Sequence, residues 1–587
     1  MEQNEIFEKI IIDALAAGIT TKDALTELKR RIASEFKMSA PSTAQIRAAY
    51  IALVLRGTIQ ANKHFDSLLR KRDVRTQSGV AIITVLTKPY PCPGKCTYCP
   101  TEVRMPKSYI ETEPAAQRAL ANKFDPYEQV RTRLQMLQNN GHEVDKIELI
   151  VKGGTWSAYR WDYQLWFIRR CFDACNDFGT GKTAAPGNDE LKNHESGTFQ
   201  YVDLPDMKTH DVIAAFTADE LTRMGDAQLE NEEARCRIIG MTLETRPDWI
   251  RPHTVWQLRV LGCTRVELGL QHTDNAILDL VKRGHSIEDT MEAMRLLRHA
   301  GFKVDVHTMP QLPGTTPEKD FKMFEILFRD ERLRPDMLKI YPCVVTPTAE
   351  IAAWHAAGTY TPYPLEHLIE LLVRVKAELI PYYCRISRLI RDIPGNEIIA
   401  GNTVTNLRET IQRELHARGN TCRCLRCREI GHSSKLAPEL LQEFYNAKLN
   451  IDEYRASDGT EFFLSIEDPA RRAVFAFLRL YIPDIGTQGQ DASVAKLHEL
   501  LPETLGTVFV RELHTYGFLV PLATNTDAHD EQQHRGLGKK LMLAAEEIAQ
   551  SRGITRMTVI SGVGVRGYYS KLGYSRSGTY MVKSLHS

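Results

Sequence analysis

The sequence predicts an α/β protein of several domains. It reads as a partial parallel (β/α) barrel, a smaller α+β domain after it, and a helical segment in front. Three observations predict this. From Val80 to about residue 345, short β-branched runs alternate with helical stretches, the order that builds a parallel sheet, open or closed into a partial barrel. Beyond about residue 456 strand-like runs resume around one clear helix, Gly538 to Ser551. Before residue 78, apolar residues recur at helical spacing. A length of 587 residues suggests roughly three to four domains.

In chain order, residues 1–77 carry Ile6, Ile10, Ile11 and Leu15, then Ile46, Tyr50 and Leu53, at helical spacing, with Pro41 and Ser42 as a turn. The segment ends basic: Lys63, Arg70, Lys71, Arg72 and Arg75 against Asp66 and Asp73. Composition alone fits a solvated helix face as well as a polyanion-binding one. Residues 78–395 hold the strand-like runs VAIITVLT, KIELIVKGG, RIIGMTLET, TRVELGLQ, FKVDVHTMP and MLKIYPCVV. A polar stretch at 180–210, rich in turn formers, reads as a surface insertion. Residues 396–455 hold a cysteine cluster and read as a linker region. Residues 456–587 form the last domain, with TEFFLSI, VFAFLRLYI, GTVFVRELHTYG and TRMTVISGVG as its strands.

The charge is balanced, 75 Lys and Arg against 74 Asp and Glu. That excludes a uniformly basic nucleic-acid coat and leaves room for a local basic groove. No apolar stretch approaches the ~18 residues of a membrane helix, and the start MEQNEIFEKII lacks the pattern of a signal peptide. A soluble cytoplasmic protein without a membrane partner is expected. Of 12 cysteines, six fall in two tight clusters, and in a reducing compartment clustered thiols point to metal.

The first cluster is Cys92-Pro-Gly-Lys-Cys96-Thr-Tyr-Cys99, directly after the first strand. Three thiolates on one loop can hold three irons of a 4Fe-4S cluster, leaving one iron open to a ligand; half of a zinc site is the plainer alternative. A three-cysteine loop after the first strand of a repeating strand–helix pattern resembles the radical S-adenosylmethionine superfamily. The resemblance implies that the open iron chelates S-adenosylmethionine and that Gly153, Gly154 and Thr155 support its methionine part. Glu244, Glu267 and Gln271, at the following strand ends, would face the same pocket; a surface or capping role is the alternative for each glutamate.

In the last domain, Gln533-His-Arg-Gly536-Leu-Gly538 opens the clear helix. Glycines there let backbone amides approach a pyrophosphate, whose charge the helix N-terminus favours. The pattern, between a preceding strand and a following strand and helix start, resembles the GNAT-type acetyltransferases. That family often places a tyrosine near the thioester, here Tyr568 or Tyr569; a core aromatic is the alternative for Tyr569.

The order of PCPGKCTYCP, KSYIETEPAAQRA, ELIVKGGT, GMTLETRPD, TRVELGLQ, LKIYP, RDIP, VRELHTYG and VISGVGVRGYYSKLGY is similar to that of the Elongator catalytic subunit family. The similarity runs from about Ser78 to the C-terminus. It implies a tRNA carboxymethyluridine synthase that uses S-adenosylmethionine and acetyl-CoA to modify the wobble uridine. It further implies acetyl-CoA contacts at Lys146, at Glu512, Leu513, His514 and Thr515, at Leu537, Gly538 and Lys539, and at Tyr569. Lys339 would join the pocket. An anticodon stem-loop presents an unpaired base, and Arg385, Arg388 and Arg391 would join the basic N-terminal set on its phosphates. Cys422, Cys424 and Cys427 suit a structural zinc, with His432 or Cys384 as fourth ligand. Two departures stand out: the 180–210 insertion, and PTEVR after Cys99 where many relatives have a Pro-Gly-Gly run. A protein acetyltransferase with a regulatory iron domain, and a non-catalytic tRNA scaffold, are the competing readings; partner subunits stay open.

Overall fold

The computed structural model describes residues 3–69, 79–182, 218–434, 437–484, 491–516 and 536–585. Arg70, Lys71, Arg72, Arg75, Gln533 and all but the first residues of the 180–210 stretch lie outside them.

Four helices come first: α1 (Gln3–Ala16), α2 (Lys22–Glu35), α3 (Thr43–Leu55) and α4 (Lys63–Leu68). Thr21 caps α2, and Ser42 with Gln45 forms a capping box at the start of α3, satisfying amides that the first turn leaves unpaired. Their apolar stripes meet in one small core of Ile10, Ile11, Ala14, Ile32, Ile46 and Leu53. Arg47 of α3 donates to the Gln138 carbonyl at 2.9 Å and so ties this unit to the next.

The next unit is a seven-stranded parallel sheet whose strands lie in sequence order. They are β1 (Ala81–Leu86), β2 (Lys146–Lys152), β3 (Arg237–Thr245), β4 (Arg265–Gln271), β5 (Lys303–Thr308), β6 (Met337–Ile340) and β7 (Arg385–Arg388). Each crossover runs through helices packed on one face, so the sheet curls into a half-barrel. The two-residue period of a strand divides the side chains. Ile147, Leu149, Val151, Val266, Leu268, Val304, Val306, Leu338 and Ile340 enter the apolar layer under the helices. Their alternates Glu148, Lys152, Glu267, Asp305, His307 and Lys339 line the concave interior.

The last unit is a mixed seven-stranded sheet in the order β13-β14-β12-β11-β10-β9-β8. Its strands are β8 (Lys448–Arg455), β9 (Gly459–Glu467), β10 (Val474–Pro483), β11 (Val508–Thr515), β12 (Arg556–Val559), β13 (Ser575–Ser577) and β14 (Tyr580–Ser584). Only β11 and β12 pair in parallel. The expected linker region 396–455 is thus too long by one strand. β8 is an edge strand with Ile451 half exposed, and it draws its order from pairing with β9 along its whole length rather than from a strong apolar pattern.

Charges and backbone join the two sheets. Arg511 of β11 is fully buried and pairs with both Asp336, just before β6, and Glu461 of β9. It also donates to the Phe302 carbonyl at 2.7 Å. Arg479 of β10 reaches Asp336 at 3.5 Å and the Tyr383 carbonyl at 2.7 Å. Burial works against the Asp336 charge, but Arg511 and Arg479 outweigh it and hold the carboxyl below its ordinary range. At a separate contact between the two units, a Cβ on Gly562 would lie 1.9 Å from the Ile239 carbonyl oxygen of β3, so the backbones touch directly. Ile239 is the extra residue of a bulge, since Ile238 pairs with Ile147 and Gly240 with Glu148.

Asp336→Ala removes the carboxylate that two buried guanidinium groups share across the units, leaving Arg511 to Glu461 and Arg479 to Glu512. A loss of about 3–5 kcal/mol in unfolding free energy is expected, read from chemical denaturation; a change within experimental error would show that the lock carries no stability.

A candidate active site shared by the half-barrel and the second sheet

The cysteine loop lies across the C-terminal ends of the parallel strands, where such sheets place their chemistry. The Gly94 amide donates to Cys92 Sγ at 3.4 Å, and Thr155 Oγ1 lies 3.6 Å from the same sulfur. Arg283 donates to Cys96 Sγ at 3.4 Å. Arg246, held by Asp248 at 2.9 Å, leaves its Nη1 without a partner among the described residues, beside Gly94. A hydrogen bond from Cys99, then Arg283 and Arg246, hold the Cys96 thiol well below its usual range against burial. The three sulfurs do not all lie within 4.8 Å of one another, but three thiols on one loop, one already inclined to thiolate and faced by two cations, are a donor set that fits the wider 4Fe-4S cluster. Next to them, Gly153 has φ +147° and a Cβ there would collide with Thr87 Oγ1 at 1.7 Å; Gly154 has φ +83°. Only glycine lets this strand end turn so closely beside the cysteines. Sequence reasoning named the cysteines, Gly153, Gly154 and Thr155, and it missed Arg246 and Arg283.

One layer deeper lies a buried charge cluster centred on Glu267. Lys152 binds it directly, Lys339 Nζ lies 2.5 Å from its Oε1, and His307 Nε2 lies 3.2 Å from its Oε2. Lys152 also reaches Glu244 at 2.9 Å, and Tyr109 donates to Glu244 at 3.0 Å. Burial penalises the Lys152 charge, but Glu244 and Glu267 outweigh it and raise its pKa well above the ordinary value. Lys339 goes the other way: burial, with only partial compensation from Glu267, pushes it down to about 8. The expected residues Glu244, Glu267 and Lys339 therefore come together, and Gln271, at φ +74°, lines the same cavity. Lys152 and His307 were missed. The available signal was charged residues recurring at alternate positions of otherwise apolar strands.

The opposite end of the cavity is lined by the second sheet. Glu512 of β11 meets Lys303 of β5 at 3.3 Å and Arg479 at 2.9 Å. Burial opposes its charge, yet Lys303 and Arg479 hold the carboxyl far below its ordinary range. Gly538 is the second residue of the helix Leu537–Ser551, with Leu513 and the Tyr568 hydroxyl close to where its Cβ would be. Tyr569 is buried and lines the cavity, its ring 5.3 Å from that of Tyr568. Thr515 and Lys539 are exposed, and Leu537 is half buried. Lys146, exposed at the start of β2, lines the same mouth. Lys303 and Arg479 were not anticipated.

The second cysteine set gathers as expected: the sulfurs of Cys422, Cys424 and Cys427 lie within 4.8 Å of one another. Neither proposed fourth ligand joins them. His432 Nε2 instead lies 3.4 Å from Glu429, and Cys384 stays buried outside the group. The side chain that does approach is Lys376, 3.1 Å from Cys422 Sγ and 3.8 Å from Cys427 Sγ, carried inward by the wide turn Val375–Leu379. The three arginines expected on phosphates divide. Arg385 pairs with Glu429 at 2.7 Å, and Arg391 with Glu113 at 2.7 Å and Ser108 at 3.0 Å, because their positions turn them toward internal carboxylates. Arg388 is half exposed and pairs with Asp392 at 2.5 Å. No helix among the described residues is long and apolar enough to cross a membrane.

This geometry is a half-barrel with a three-cysteine loop at one end and an acyltransferase-like strand pair at the other, which defines a radical S-adenosylmethionine domain fused to a GNAT-type one. Comparisons agree. Residues 205–325 match the radical SAM superfamily, 335–417 the Radical_SAM C-terminal domain, and 449–574 the acetyltransferase (GNAT) family. The chain is 39% identical to the tRNA uridine(34) acetyltransferase of Methanocaldococcus infernus, over 90% of either chain. It is 31% identical to the Elongator complex protein 3 of Saccharomyces cerevisiae, over 98% of this chain and 94% of that one. The solved structure of the Methanocaldococcus infernus Elp3 with its N-terminus deleted, 36% identical, covers 86% of this chain and all of its own with a TM-score of 0.66. The chain belongs to the family of tRNA uridine(34) acetyltransferases and Elongator complex protein 3.

Lys339 gives the cluster a pH signature. Its depressed pKa means that the unfolded chain, with lysine near 10.5, binds the extra proton between about pH 8 and 10.5, so this residue makes folding more favourable as pH rises through that window. Wild type is expected to gain unfolding free energy relative to Lys339→Met between pH 7 and pH 9, measured by urea denaturation; an unchanged difference would refute the assignment.

Proposed function

We propose that this chain forms 5-carboxymethyluridine at the wobble uridine of tRNA from acetyl-CoA and S-adenosylmethionine. One observation carries the reading. A single cavity of about 1790 Å³ is lined at one end by Cys92, Cys96 and Cys99 and at the other by Glu512, Gly538 and Tyr569. Both ends open into the same space, so a group fixed at one can be acted on from the other.

A 4Fe-4S cluster with S-adenosylmethionine supplies, when bound, a 5′-deoxyadenosyl radical able to take hydrogen from the acetyl methyl group. The chain's own residues do the rest. Cys92, Cys96 and Cys99 hold the cluster, with Arg283 and Arg246 balancing thiolate charge. Gly153, Gly154 and Thr155 support the methionine part, and Glu244, Glu267, Gln271 and Lys339 fix the polar atoms beside it. Backbone amides around Gly538 meet the pyrophosphate of acetyl-CoA, with Lys146, Leu537 and Lys539 at the mouth and Leu513, His514, Thr515 and Tyr569 along the acyl arm. The base enters unstacked from an anticodon stem-loop, with Arg388 and the basic N-terminal residues Lys63, Arg70, Lys71, Arg72 and Arg75 on its phosphates. A structural zinc sits on Cys422, Cys424 and Cys427, its surplus thiolate charge balanced by Lys376. The protein acts in the cytoplasm, alone or with partner subunits.

A pure amine acetyltransferase is the weaker reading. Acyl transfer to an amine has no use for the three-cysteine loop that lines the same cavity as the acetyltransferase residues.

The test is anaerobic. Reconstituted protein is mixed with S-adenosylmethionine, acetyl-CoA, a reductant and tRNA bearing a wobble uridine. Mass spectrometry is expected to find carboxymethyluridine and 5′-deoxyadenosine, both lost in Cys96→Ser. Neither product from a preparation with an intact cluster and bound tRNA would refute the reading.

A further inference from the structure

Strands β11 and β12 pair only through Val508, Phe509 and Val510, with a last hydrogen bond from the Ile560 amide to the Val510 carbonyl at 3.2 Å. β11 runs on to Thr515, still paired with β10 on its other side. From Glu512 to Thr515 one backbone edge therefore faces a wedge between the diverging strands. Successive side chains alternate across it. Leu513 turns to the helix start at Gly538. Glu512 turns to the barrel, where Lys303 and Arg479 hold it. His514 shares the Glu512 face and lines the same cavity.

The surroundings of His514 are specific. Its ring stacks on Phe477 with centroids 5.7 Å apart and planes 27° apart, and it meets the edge of Tyr516 at 4.5 Å. Its Nε2 is buried and has no hydrogen-bond partner among the described residues. An aromatic clamp fixes the ring, and an acceptor left unmade in a cavity has a partner to find there. Burial lowers the imidazole pKa; Glu512 on its own strand and Glu429 oppose this, while Lys303 of β5 and Arg385 of β7 add to it. The ring is thus neutral at pH 7, and with its proton on Nδ1 the Nε2 atom is an acceptor.

We propose that His514 is the general base that activates water against the acyl-CoA thioester lying in the β11–β12 wedge. This rests on the acetyl-CoA reading above. Nε2 takes a proton from a water molecule as the water oxygen bonds to the thioester carbon. The tetrahedral adduct then collapses, the carbon–sulfur bond breaks, and the departing thiolate recovers the proton from the imidazolium. Thioester and water become carboxylic acid and free thiol, with no redox change. Glu512 cannot replace His514, since its carboxylate is already committed to two cations.

The test uses the full-length protein with tRNA bearing a wobble uridine present, and it measures free thiol released from acetyl-CoA beside binding of a thioether analogue that has no cleavable bond. His514→Gln is expected to lower thiol release about 100-fold or more, in the range usual for loss of a general base, with analogue affinity falling far less than the rate. In His514→Ala, added imidazole is expected to restore part of the rate. Wild-type rate is expected to fall on the acid side as the ring protonates, a limb absent from His514→Gln. Thiol release retained in His514→Gln, or lost in step with analogue affinity, overturns the proposal, as does a wild type that binds the analogue and releases no thiol. A wild type that binds neither acetyl-CoA nor the analogue refutes the acetyl-CoA reading instead.

Discussion

The buried meeting of Arg511 and Arg479 with Asp336 is the constraint on which the rest is aligned. It joins the start of a barrel strand to two central strands of the second sheet. Neither cation reaches water, so each depends on carboxylates and carbonyls from both units, and separating the units would leave charges without partners in an apolar setting. The Gly562 contact with β3 admits no side chain. Together they fix β11 against the barrel floor, and this is what aims Glu512 and His514 into the same space as Glu267 and the cysteines.

Inside the barrel, charge is arranged before any ligand arrives. Lys152, Lys339 and His307 share Glu267, and Lys152 and His307 also touch Glu244. In a low-dielectric interior such groups hold one another at defined positions, and a ligand that displaces one of them shifts the others. The neighbouring lysines respond oppositely because their partners differ: Lys152 has two carboxylates in contact, Lys339 one.

Much of this was legible in the sequence where the physics is local. The half-barrel follows from strand–helix alternation, the cysteine loop from three thiols on one turn, and the helix at Gly538 from its glycines. Gly153 likewise stands where a side chain would collide with Thr87, and Gly154 follows it with a positive φ. What was not legible depends on distance along the chain. Lys303 and Glu512 are 209 residues apart, and Arg283 and Cys96 are 187 apart. Nothing in their neighbourhoods announces those pairs. Arg385 and Arg391 looked like surface cations because Glu429 and Glu113, which engage them, are remote in sequence. His432 looked like a zinc ligand by proximity, whereas Lys376, nearly fifty residues earlier, is what the fold brings to Cys422. β8 went unread because an edge strand borrows its conformation from its neighbour.

The sheet that shapes the barrel ends at β1 and β7 and does not close on itself. A closed ring admits only what fits through its mouth, and it must release products by the same route. A C-shaped wall works as a slot instead: a polymer can lie across it and offer one residue sideways while its bulk stays outside. Selection then depends on which part of a long molecule can be bent into the gap, and length itself ceases to be a barrier.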